Sequence, residues 1–179
     1  AWLESENGNF TQAINALNIA RKSLSKVDMS VADNKERADL LNNVNSWNMA
    51  NLLLPAQDFA LGWKLFEYGL CARAPGPQKW QRAMPKPFTY SQLPLWRGES
   101  LVSNSILLLE EQAIGDVMQF LTLIPSIIDE ASHVGIMISD RLISIYERSF
   151  AKYISQGLLS VYTFDNVLTE DFNFSKFNY

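Results

Sequence analysis

Ser105-Ile106-Leu107-Leu108-Leu109-Glu110-Glu111-Gln112-Ala113-Ile114-Gly115-Asp116 is the stretch on which the fold turns. Ile106–Leu109 is a short continuous apolar run, the pattern of a strand buried on both faces. Glu111–Ile114 reads as a turn, and a helix follows from near Gly115 to about Ala131. Its buried face carries Val117, Phe120, Leu121, Ile124, Ile127 and Ile128, and Pro125 within it predicts a kink. Val134–Ile138 reads as a second strand. Ser139 or Asp140 caps a helix running to about Ala151, with Leu142, Ile143, Tyr146 and Phe150 inward. Leu158–Tyr162 is a third strand. Strand, helix, strand, helix, strand at this spacing predicts right-handed crossovers and a parallel sheet. Residues 164–179 are rich in Phe, Asn and Asp and offer no further strand–helix unit. Three parallel strands leave exposed edges, so the reading expects the native chain to continue past Tyr179.

Upstream, the periodicity is helical. A turn at Asn7-Gly8-Asn9 precedes a helix over Phe10–Leu24, with Ala13, Ile14, Leu17, Ala20 and Leu24 on one face. A second helix is expected from about Asn34 to Leu54, carrying Leu40, Leu41, Val44, Trp47 and Leu52, and Pro55 ends it. A third runs from about Ala56 to Ala72, with Phe59, Trp63, Phe66 and Leu70 as a core stripe. Two segments share a spacing: Phe10, Ala13, Leu17, Ala20 and Phe59, Gly62, Phe66, Gly69. Small residues at these steps let a neighbouring helix come close, as in stacked helical hairpins. The organisation is therefore helical repeats over 1–72, a connector over 73–104 and a partial α/β unit over 105–179. The connector holds Pro75, Pro77, Pro85, Pro87 and Pro94, interleaved with Trp80, Tyr90 and Trp96. It is expected to lie extended and to bury Trp96.

Composition narrows the function classes. Of 179 residues, 47% are hydrophobic, enough for one large or two small cores. A net charge of −4 and a pI near 5.0 give no electrostatic case for nucleic acid or an anionic membrane. Apolar runs are interrupted well before the roughly 20 residues a membrane span needs. No secretory signal is seen. The single cysteine, Cys71, cannot form an internal disulfide and points to a reducing compartment or to indifference; a cytoplasmic location is expected. One Cys and one His are too few ligands for a zinc site; no cofactor is expected.

The chemistry-bearing residues cluster after the first strand, where ligands gather in open parallel sheets. Gly115 allows a ligand to approach the backbone, and free amides at a helix start favour an anion. Asp116 works against an anion there; it either caps the helix or serves as a general base towards an acceptor hydroxyl. Gln112 either hydrogen-bonds a ligand or holds the turn. Glu110, Glu111 and Asp116 form an acidic cluster, but adjacent strand residues point to opposite faces and do not converge on a metal. His133 falls at the opposite end of the sheet. Arg97 and Arg141 read as surface charges.

These residues resemble a bacterial arrangement: tetratricopeptide repeats followed by a two-Rossmann (GT-B) glycosyltransferase domain related to the heptosyltransferase-like family 9. Phe59-Ala60-Leu61-Gly62-Trp63-Lys64-Leu65-Phe66-Glu67-Tyr68 is similar to that family's last repeat helix. Leu95-Trp96-Arg97-Gly98-Glu99-Ser100-Leu101 is similar to its Trp-x-Gly-Glu connector. Glu111-Gln112-Ala113-Ile114-Gly115-Asp116, followed by Gln119-Phe120, is similar to its Glu-Gln-Gly-x-Gly-Asp turn. The resemblance implies tetratricopeptide-type hairpins followed by a partial Rossmann-like unit that forms the acceptor side of a cleft. It implies metal-independent transfer from a nucleotide sugar, with Asp116 as the catalytic base and Glu111, Gln112 and Gly115 lining the substrate. In that family the donor is held mainly by a second, C-terminal Rossmann domain, so residues 1–179 alone are expected to be inactive. Ala113 stands where the family prefers glycine, and its methyl narrows a close backbone approach. The alternative reading is a non-catalytic scaffold whose repeats bind a protein partner.

Overall fold

The computed structural model describes residues 7–71, 92–111, 113–165 and 172–179. The chain divides into two compact units, Ala1–Ala83 and Met84–Tyr179.

The first unit is helical: α1 spans Phe10–Leu24, α2 Ala32–Leu53 and α3 Phe59–Phe66, with a 3-10 turn over Glu67–Cys71. Ala13 and Leu17 of α1 pack with Met49, Ala50, Leu52 and Leu53 of α2 and Leu65 of α3. The buried Asn45 side chain donates to the Leu17 carbonyl at 2.9 Å, which ties α2 to the end of the α1 stripe and satisfies a polar group inside the core. Small residues meet large ones where the spacing places them. A methyl built on Gly62 lies 2.7 Å from Leu54 Cδ2 and 3.3 Å from the Leu54 amide nitrogen, so only glycine admits this approach.

The third helix begins later than expected. Residues 55–58 form the turn instead, with Gln57 at φ 66° and Asp58 as N-cap accepting from the Leu61 amide at 3.3 Å. The aromatic stripe is also corrected: Phe59 is 56% and Trp63 48% exposed, while Gly62 and Leu65 are the buried positions of α3. A short helix seated chiefly on one neighbour buries a narrow stripe, and the close approach at Gly62 decides which one. Ala20, on the expected packing face of α1, is exposed, as is Leu41 of α2.

The second unit is α/β. Strands β1 (Ser105–Leu109), β2 (His133–Ile138) and β3 (Leu159–Thr163) form one parallel sheet in the order β1-β2-β3. Ile106 lies opposite Val134, and Val134 opposite Leu159. Between β1 and β2 lie α4 (Ile114–Phe120) and α5 (Ile124–Glu130); between β2 and β3 lie α6 (Asp140–Ser149) and α7 (Ala151–Ser155). The expected single helix after β1 is broken rather than kinked. Pro125 sits in the first turn of α5, and residues 121–123 tighten into a 3-10 turn, because proline cannot donate and crowds the carbonyl four residues back. Phe120, expected inward, is 48% exposed.

Strand alternation sends two different sets of side chains to the two faces. Ile106, Val134, Ile136, Ile138 and Leu159 pack against Ile124, Ile128, Leu142, Tyr146 and Phe150 from the helices. Leu107, Leu109, Met137 and Tyr162 face the other way and meet Phe172, Phe174 and Phe177. Gly135 is what lets Phe177 in: a methyl there lies 2.5 Å from the Phe177 ring. The tail then turns onto the free edge of β1. The Tyr179 amide donates to the Ser105 carbonyl at 3.3 Å, and the Leu107 amide donates to the Tyr179 carbonyl at 2.8 Å. Bonds to the residues flanking Ile106 are the parallel pattern. Asn178 Oδ1 accepts from the Ser105 amide at 2.8 Å and from its hydroxyl at 3.0 Å. One edge expected to be bare is thus partly paired.

In the connector, residues 92–104 are described; Pro75, Pro77, Trp80, Pro85, Pro87 and Tyr90 lie outside the described residues. Trp96 is not buried as expected but 37% exposed. Its Nε1 donates to the Glu99 carbonyl at 2.8 Å, and the Arg97 amide donates to Glu99 Oε2 at 2.6 Å. With Gly98 at φ 97°, Trp96-Arg97-Gly98-Glu99 is a self-closed turn that holds the ring at the surface. Leu101 is the side chain this segment buries.

Candidate functional site

The carboxyl ends of β1 and β2 bring the chemistry-bearing residues to one edge of the sheet. The Glu110 amide continues the ladder past β1 by donating to the Met137 carbonyl at 2.8 Å. Its Oε2 accepts from the Ser139 amide at 2.6 Å. Ser139, one of the two expected caps, is the N-cap of α6, yet its own side chain makes no capping bond, and among the described residues its buried Oγ has no partner. Glu110 therefore reaches across from the neighbouring strand and sets its charge at the positive end of α6. Such a charge stabilises a helix by about 0.3–1 kcal/mol. Asp140 in the first turn of α6 acts in the same sense.

Tyr146 lies inward on α6 and is almost wholly buried. Burial, and then the Glu110 charge, push its hydroxyl up to about 12, so it stays a neutral phenol across the physiological range. This Glu110–Ser139 link was not read from the sequence. Its partners are 29 residues apart, and only the parallel register brings them together.

The turn after Glu110 leads into α4. Glu111 is half-buried, and Gln112 lies outside the described residues. Ala113 is the N-cap of α4, exposed and extended at φ −86°, ψ 156°, a conformation open to any residue. Its methyl therefore strains nothing in the backbone. Gly115 is also exposed, has no positive φ, and has open space where a side chain would stand. Neither backbone conformation nor packing among the described residues requires a glycine there.

Asp116 occupies the first turn of α4, half-buried, with its amide donating to the Ala113 carbonyl at 3.0 Å. Among the described residues its carboxylate caps no backbone amide of α4, so only its charge favours the helix start. The structure thus brings Glu110, Glu111, Gly115 and Asp116 to one strand-end turn and links Glu110 to the next turn through Ser139. His133 is set apart from them at the amino end of β2, its Nδ1 2.9 Å from the Gly157 carbonyl. Arg141 is exposed on the first turn of α6, and Arg97 belongs to the surface turn. Among the described residues no three His, Cys, Asp or Glu are grouped to hold a metal ion. Nor is any helix there long and apolar enough to cross a membrane.

These observations define a chain that combines a helical unit with an α/β unit built on a small parallel sheet. No protein-family model, curated protein or solved structure matches it.

Proposed function

We propose that the chain supplies the acceptor side of a two-domain, nucleotide-sugar-dependent glycosyltransferase, with the helical unit as a protein-interaction region. Asp116 takes the proton from an acceptor hydroxyl as that oxygen attacks the donor sugar. Glu111, Gln112 and Gly115 line the acceptor. The donor belongs to a second Rossmann-like domain.

The observation that carries this reading is Gly115. Glycine in a helix costs about 1 kcal/mol against alanine. Among the described residues it answers no need of backbone or packing, in the first turn of a helix that follows the carboxyl end of a parallel strand. Space left open at such a place fits a molecule that approaches from outside.

Two assays test it. Residues 1–179 alone are expected to turn over no nucleotide sugar, since the donor half is not among them; measurable transfer by this chain alone overturns the division of labour. In the protein that carries both domains, Asp116→Asn is expected to lower kcat by about 10²–10⁴-fold, the usual worth of a positioned base. Undiminished transfer removes Asp116 from the mechanism.

A second reading, the non-catalytic scaffold, is favoured by the exposed Phe59, Leu61 and Trp63 on α3. On that reading the same Asp116→Asn protein keeps its partner and shows no transfer to lose.

A further inference from the structure

We draw no further inference here: the strongest candidate, the patch of exposed apolar side chains Phe59, Leu61, Trp63 and Tyr68 on α3 and the turn after it, carries none because nothing in the structure shows what covers it.

Discussion

Gly115 and Gly135 have opposite surroundings, one open and one crowded, and substitution separates them. At Gly135 a methyl meets the Phe177 ring at 2.5 Å and Leu107 Cδ1 at 2.9 Å. Gly135→Ala should therefore destabilise the α/β unit by about 1–3 kcal/mol, the usual cost of overpacking, read as a lower urea midpoint. Pairing it with Phe177→Leu should recover part of that loss, because the smaller side chain vacates the contested space. Gly115 has nothing within reach of an added methyl. Gly115→Ala should raise stability by at most about 0.5–1 kcal/mol through helix propensity, and on the function proposed above it should lower acceptor turnover. Gain on both counts would mean that the open space serves no ligand.

At the scale of elements, α6 is held at its start by a strand rather than by its own cap. The Glu110–Ser139 bond places a carboxylate near Tyr146, whose hydroxyl is pushed up to about 12. A phenol whose folded value exceeds its unfolded value of about 10 contributes stability that is whole below pH 10. That contribution fades as pH climbs towards 12, by an amount on the order of 2 kcal/mol. Thermal unfolding of the chain should therefore show a falling midpoint across pH 10–12. Glu110→Gln should flatten that fall only in part, since burial is the larger cause. An unchanged midpoint through the window would contradict the assignment. The strand positions were legible because four consecutive apolar residues at 106–109 and the run 134–138 admit little else. The broken helix after β1 was half-legible: Pro125 announces a disturbance, but whether the chain bends or tightens depends on how residues 121–123 pack.

For the whole molecule, what the sequence conveyed was periodicity, and what it hid was partnership across long separations. The β1-β2-β3 order follows from alternating elements and right-handed crossovers. The burial stripe of α3 did not follow, because Phe59, Trp63 and Phe66 recur as a core face does. The decision lay in a contact between Gly62 and Leu54. The role of residues 172–179 was equally hidden. Their aromatics look like an irregular tail until Leu107, Met137 and Tyr162 are seen waiting on the second face of the sheet. At the candidate site the turn was visible from its position after a strand, whereas the Glu110–Ser139 link needed the register.

The tail has a consequence for biosynthesis. A chain emerging from the ribosome delivers β1, β2, β3 and their helices first, and those can seal one side of the sheet as they appear. Leu107, Met137 and Tyr162 have a thinner early cover: among the described residues Leu93 precedes them and Phe164 follows β3, and the rest comes from Phe172, Phe174 and Phe177. Until that aromatic segment clears the exit tunnel, the nascent unit displays a greasy, half-dressed sheet, and it is during this interval that a chaperone has something to hold.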